Sequence, residues 1–295
     1  MNAPHTIGTG GIDASRYNDN GFLCPIDVLS PEEAAAHRSA LEALERDFEG
    51  QLPKPVGHYL RLSAHVATDL PLKIARDPRV LDAVEILLGP DLMLWSCEYF
   101  IKEAHSSKIV SWHQDLTYWG MDGSDHEVTA WIAISAATEA SGCMRFVPGS
   151  HTQQIVPHSD TFAADNLLSR GQEIAVDVDE ARAVFAEIQP GQMSLHHGRL
   201  FHASGPNTTD DRRIALVLRF IRPDTPAMGA ARDYAVLVRG ADRTGNRINM
   251  VPGSGNFTPR QMQLYQEVTG AQEDVLADGL APEAALYDTA EPNDA

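Results

Sequence analysis

The chain has 295 residues, 43% hydrophobic and 22% charged, enough for one large domain or two small ones around a sizeable core. Its net charge of −18 argues against nucleic acid or an anionic membrane as partner, and no apolar run approaches the roughly 18 residues of a membrane helix. Cys24, Cys97 and Cys143 stand singly, which argues against a disulfide framework or a paired-thiolate zinc site.

The opening "MNAPHTIGTGGIDASRYNDNG" has neither the basic flank nor the apolar stretch of a signal peptide, so a cytoplasmic location is expected. The first predicted element is a helix from "SPEEAAAHRSALEALERDFEG": Ser30 caps it, Pro31 fits its first turn, Glu33 completes a capping box and Gly50 ends it. A second helix follows in "DPRVLDAVEILLG", with Asp77 as cap, Pro78 at its first position and Gly89 as stop. The texture then changes. "DLMLWSCEYFIKEA", "HEVTAWIAISAAT", "GCMRFVPGS", "QEIAVDV", "QMSLHHGRLFHAS" and "RRIALVLRFIRP" are short apolar runs parted by turn residues, the signature of a β-sandwich or jelly roll. "TPRQMQLYQEVTG" predicts a closing helix. Helices first and strands after make an α+β fold, mainly β, in a single domain over 1–270. Residues 271–295 hold seven acidic and no basic residues and read as a solvated tail.

Within "SWHQDLTYWG", His113 and Asp115 are two apart, so on or just beyond a strand end they point the same way. An imidazole and a carboxylate, completed by a second imidazole, form the facial triad of non-haem Fe(II) oxygenases. His196, His197 and His202 in "MSLHHGRLFHASGPN" are the candidates for the third ligand. Strand parity leaves His196 and His202 equal. The surroundings favour His202: a small-residue turn follows it, and Arg213 comes eleven residues later. A guanidinium near iron is what a dicarboxylate cosubstrate needs, because its planar fork matches a carboxylate. His196 and His197 are then pocket or supporting residues, and His105, His126, His151 and His158 are expected on the surface or in loops.

HQD, then "HASGPN" about ninety residues on, then Arg, resembles the phytanoyl-CoA dioxygenase family of Fe(II)/2-oxoglutarate oxygenases, from "YNDNGFLCPIDVLSPEE" to about "RPDTP". The resemblance implies a double-stranded β-helix (a cupin-like jelly roll) with the N-terminal helices packed on one side. It implies His113, Asp115 and His202 as iron ligands and Arg213 as partner of the distal carboxylate of 2-oxoglutarate. Ser204 matches a hydroxyl supporting that same end. Trp131, 18 residues after the first ligand, and Gln114 match residues lining the cosubstrate site, and Lys102 is a further cosubstrate or substrate contact. Fe(II), 2-oxoglutarate and O₂ are the implied cofactors, with succinate and CO₂ as coproducts of hydroxylating an unactivated C–H bond. Halogenating relatives replace the carboxylate ligand by Ala or Gly, so Asp115 favours hydroxylation.

Tyr118, Trp119, Asn207 and Arg239 are the candidates for substrate contacts. A small-molecule metabolite is expected rather than an acyl-CoA, since an acidic body without a basic cluster repels the phosphates of coenzyme A. Lys102 or Arg239 would fix any anionic end. One branch of the family hydroxylates the zwitterion 2-aminoethylphosphonate, which stands as an alternative substrate. Two readings from other classes are a zinc hydrolase, which leaves Arg213 unexplained, and a non-catalytic jelly-roll binding protein, which should have lost a ligand.

Overall fold

The computed structural model describes residues 12–119, 125–161, 165–168, 172–226 and 233–276. The chain enters through α1 (Ala14–Asn20) and β1 (Phe22–Asp27), then builds a helical layer from α2 (Pro31–Phe48), α3 (Val56–Arg61), α4 (Ala64–Ala67), α5 (Leu70–Ala75) and α6 (Pro78–Leu88). The expected signals act at the two long helices. Ser30 accepts from the Glu33 amide at 3.2 Å while Glu33 Oε2 takes the Ser30 amide at 2.7 Å, and Asp77 accepts from the Arg79 amide at 2.9 Å. Between them lie three short helices that the sequence reading left without structure, broken by the left-handed Ser63.

The strands are β2 (Leu92–Lys102), β3 (Val110–His113), β4 (Glu127–Ala133), β5 (Met144–Phe146), β6 (His158–Asp160), β7 (Gln172–Ile174), β8 (Val184–Ala186), β9 (Gln192–His196), β10 (His202–Ser204), β11 (Arg213–Ile221), β12 (Tyr234–Arg239) and β13 (Ile248–Asn249). They form a seven-stranded sheet in the order β1-β9-β4-β11-β2-β12-β13, a four-stranded sheet β3-β10-β5-β8, and the pair β6-β7. All pairings are antiparallel except β12 with β13. The closing helix α7 spans Pro259–Leu276, so it runs past residue 270, where the sequence reading drew the domain boundary. Of the expected tail, 277–295 lie outside the described residues. No helix among the described residues is long and apolar enough to cross a membrane.

Strand β11 shows how the two layers divide the labour. Successive side chains leave a strand on opposite faces. Ile214, Leu216, Leu218 and Phe220 join the core that the helices cover, together with Leu41, Leu44, Val80 and Val84. Ala215 and Val217 face the small sheet, where they meet Trp131, Met144 and Phe146. Both faces of the large sheet are therefore covered, which is why its strands read as continuous apolar runs rather than as alternation. The inward face also carries Arg213 and Arg219. The fold is a jelly roll of the double-stranded β-helix type, and its working surface is the space between the sheets.

Candidate metal centre and cosubstrate cleft

Strands β3 and β10 pair so that His113 and His202 stand directly opposite each other, and Asp115 follows His113 in a 3₁₀ turn over Asp115–Tyr118. Their rings lie 4.0 Å apart between centroids, and Asp115 Oδ1 is 3.2 Å from His113 Nε2 and 3.8 Å from His202 Nε2. All three side chains are buried, and among the described residues they are the one group of such donors able to hold a metal ion.

Each histidine is oriented by its other nitrogen. His113 Nδ1 donates to the Ser111 carbonyl and His202 Nδ1 to the Leu200 carbonyl, both at 2.9 Å. Those bonds place the proton on Nδ1 and leave both Nε2 lone pairs facing Asp115. Burial pushes the Asp115 carboxyl upward, but donation and charge from His113 and His202, when an Nε2 carries a proton in place of a metal, together with the Arg219 charge, outweigh it and hold it well below the usual carboxylate range. Burial also holds His202 well below an ordinary histidine. Two imidazole Nε2 atoms and an ionised carboxylate are the donors that a divalent metal requires, and its binding releases any proton on Nε2.

The donors open onto a cleft between the sheets with about 520 Å³ of empty space, lined on one side by Ser204, Met144 and Ala203 and on the other by Trp131, Arg213 and Val217. Arg213 is 1% exposed. Its Nη1 donates to the Gly142 carbonyl at 3.0 Å, while Nε and Nη2 have no partner. Burial drags its pKa down to about 9. Trp131 and Phe100 flank the guanidinium, with its carbon 5.2 and 5.6 Å from their ring centroids. A buried cation with two idle donors fits an incoming carboxylate.

The sequence profile of the phytanoyl-CoA dioxygenase family (PhyH) matches residues 17–215, about two thirds of the chain. The chain belongs to the phytanoyl-CoA dioxygenase family. It is a non-haem Fe(II)- and 2-oxoglutarate-dependent dioxygenase, and the donor set and the buried arginine fit those two cofactors. This dioxygenase is 26% identical over 267 residues to a protein of Stutzerimonas stutzeri named as a probable alpha-ketoglutarate-dependent hypophosphite dioxygenase, covering 84% of this chain and 88% of that one. It is 31% identical to the human peroxisomal phytanoyl-CoA dioxygenase over 153 residues, 50% of this chain and 44% of that one, so there the match spans less than half of the relative. Among solved structures it is similar to an apo non-heme monooxygenase, ThoJ, at 33% identity and a TM-score of 0.81, covering 90% of this chain and 97% of that one.

The remaining expected site residues of this dioxygenase divide sharply. Ser204 lines the cleft, and Lys102 stands behind it. Lys102 Nζ donates to Ser204 Oγ at 2.7 Å and to the Gly205 carbonyl, and burial lowers its pKa to about 7. Gln114 does not line the cleft: its amide faces the other way, donating to the Arg199 carbonyl at 2.9 Å and accepting from the Val156 amide. Asn207 is a turn brace, donating to the carbonyls of Lys102, Glu103 and Asp211. Arg239 is bound to Asp82 and Glu85 on helix α6, away from the cleft. Trp119 packs at a tilt against Trp95, 5.5 Å between centroids, and under Arg219 rather than lining the space. The side chain of Tyr118 lies outside the described residues.

His196 does line the cleft, its ring 5.1 Å from that of His202, and burial lowers its pKa to about 4. His197 instead pairs with Asp125 at 3.0 Å. Of the histidines expected on the surface, His105 and His126 fit that reading, but His151 is buried against the Asn18 carbonyl and His158 accepts from the Gln114 amide at 3.1 Å. Arg61, Glu98 and Arg219, which the sequence reading did not single out, all line the cleft. Two of them carried a signal, Glu98 with the strand parity of Lys102 and Arg219 with that of Arg213, while Arg61 ends a short helix and carried none.

Proposed function

We propose that this dioxygenase hydroxylates an unactivated C–H bond of a small-molecule metabolite, with His113, Asp115 and His202 holding Fe(II) and Arg213 clamping 2-oxoglutarate. One observation carries the reading: two imidazole Nε2 atoms and a carboxylate converge beside a buried guanidinium with idle N–H groups. Bound there, the iron and 2-oxoglutarate supply oxidative decarboxylation of the cosubstrate and, from it, the power to oxidise a strong C–H bond.

The protein residues do the arranging. The carbonyls of Ser111 and Leu200 keep the protons of His113 and His202 on Nδ1. Asp115 would supply the one anionic protein ligand, where halogenating relatives have Ala or Gly. Arg213 offers Nε and Nη2 to the distal carboxylate. Lys102 donates to Ser204 Oγ, so the Ser204 hydroxyl turns its own hydrogen toward the cleft and becomes a second donor at that end. Trp131 and Phe100 screen this end from water, which strengthens each charge-assisted bond. A zinc hydrolase would give the idle, buried Arg213 nothing to do. The hypophosphite relative supports a compact substrate, with 2-aminoethylphosphonate one member of that class.

The test is anaerobic loading with Fe(II), addition of 2-oxoglutarate and a small-molecule panel, then air. Succinate formed in step with a product that gains one oxygen atom is the expected result. Hydrolysed products without succinate, or succinate release that no panel compound stimulates beside a tightly bound zinc, would overturn the reading.

A further inference from the structure

Strand β11 presents two arginines to the cleft from the same face, Arg213 at its first residue and Arg219 six residues on. At about 3.4 Å per residue they are about 20 Å apart along the strand. Arg213 stands at the end assigned to the cosubstrate, whereas Arg219 lies level with Thr129 and His196, beside the iron-binding donors. There it does not stand alone. Arg219 donates to Glu98 Oε1 at 2.6 Å, and Arg61 of helix α3 binds Glu98 Oε2 from the other side. Glu98 is a shared carboxylate between two guanidinium groups, with side-chain exposures of 10% for Glu98, 14% for Arg219 and 30% for Arg61.

The set is held in place. Arg61 lies over the Phe100 ring at 3.8 Å, and Arg219 over the Trp119 ring at 4.9 Å. Trp119 leans on Trp95, which sits where the register between β11 and β2 slips after Arg219. Such an irregularity re-aims a strand side chain, here at the edge of the cleft. Two guanidinium groups thus share the Glu98 carboxylate in a largely desolvated place, inside a protein whose net charge is −18. Arg219 Nε has no hydrogen-bond partner. An unused donor on a buried cation is costly unless a ligand completes it.

Resting on the proposed reaction, we infer that the Arg61–Glu98–Arg219 set is the substrate's recognition site, and that it takes a single anionic group, a carboxylate or phosphonate, on a small substrate. A cationic substrate fits poorly: both Glu98 oxygens are engaged, and an ammonium would meet two guanidinium groups. Lys102 and Arg239, the residues expected from the sequence to hold an anionic end, are committed to Ser204 and to helix α6. Arg61 and Arg219 replace them.

The test uses the full chain loaded anaerobically with Fe(II) and saturating 2-oxoglutarate, titrated calorimetrically with four probes that share one ring: benzoate, phenylphosphonate, benzamide and benzylamine. One or both anions should bind at least tenfold more tightly than the amide and the amine, and which anion wins separates a carboxylate from a phosphonate site. Arg219→Gln should erase the preference and Arg219→Lys should keep part of it, while Glu98→Gln, which raises the local charge, should tighten the anions. Equal binding of all four probes, a preference for benzylamine, or an anion preference that survives Arg219→Gln overturns the assignment. Binding of 2-oxoglutarate, measured in the same samples, reports on Arg213 at the other end. If it fails in every protein, the clamp is misassigned, and the probe result still judges the Arg219 site.

Discussion

Arg213→Met separates two effects that most substitutions at a binding site confound. Met keeps an unbranched, flexible apolar stem and is uncharged, so the swap fills much of the same space and removes the cation. In the protein without cosubstrate, Arg213 is buried, holds one hydrogen bond to the Gly142 carbonyl and leaves two nitrogens idle. Its pKa of about 9, against 12.5 for a free guanidinium, corresponds to about 5 kcal/mol of unfavourable burial at 1.36 kcal/mol per pH unit. Part of that is lost again through the orphaned Gly142 carbonyl, about 1–3 kcal/mol. The net expectation is a variant more stable than the parent by about 2 kcal/mol, or a melting point several degrees higher. Its affinity for 2-oxoglutarate should fall by about 2–5 kcal/mol, the usual loss when one partner of a buried charged pair is removed. Thermal melts without cosubstrate and anaerobic 2-oxoglutarate titrations of the Fe(II) protein measure the two halves. A variant that is less stable and binds 2-oxoglutarate normally would refute the reasoning from both sides, since Arg213 would then be a structural arginine.

Other expectations follow from the same geometry. His202→Ala should abolish Fe(II) binding in an equilibrium metal titration, while His196→Ala and His197→Ala should retain the metal; the reverse pattern would mean the third ligand is misassigned. Lys102, lowered to about 7 by burial, loses its charge as pH rises through that value, so 2-oxoglutarate affinity should decline between pH 6 and pH 8.5, and Lys102→Met should flatten the decline. Burial raises the Glu127 carboxyl to about 8, despite the Gly198 amide that donates to it at 2.6 Å. The folded state then holds a proton that the unfolded chain has released, so this contribution is full below about 4.5 and is lost as pH rises through about 8. Glu127→Gln should remove that slope, with melting points that fall less between pH 5 and 8 than those of the parent.

The site was legible in the sequence where chemistry and spacing coincide. His113 and Asp115 are two apart at a strand end, and Arg213 follows His202 by eleven residues, so local order groups each pair, while the family resemblance joins the two. The capped helices were legible for the same reason, because Ser30, Glu33 and Asp77 act on neighbours within three residues. What escaped depends on contacts across strands. Glu98 and Arg219 become partners only through the register of β2 against β11, and Arg61 joins them from a short helix with no periodic signature. Gln114 and Asn207 flank the ligand segments, yet loop carbonyls claim their amides, and nothing in the local order reveals where an amide points. Arg239 is similar: its strand is in the large sheet, but at an edge where helix α6 offers two carboxylates.

Strand β11 lies mid-sheet, hydrogen-bonded to β4 on one side and β2 on the other along most of its length. A strand so clamped neither stretches nor slides, so the interval between Arg213 and Arg219 acts as a ruler built into the backbone. With the oxidising end fixed by one arginine and the substrate's charged end by the other, the carbon attacked is counted from the anion, whatever lies beyond it. Substrates lengthened at their far end should be oxidised at the same carbon, which product analysis of a homologous series would read. A shift in that position should require changing the reach of the side chain at 219, because the strand itself cannot move the mark.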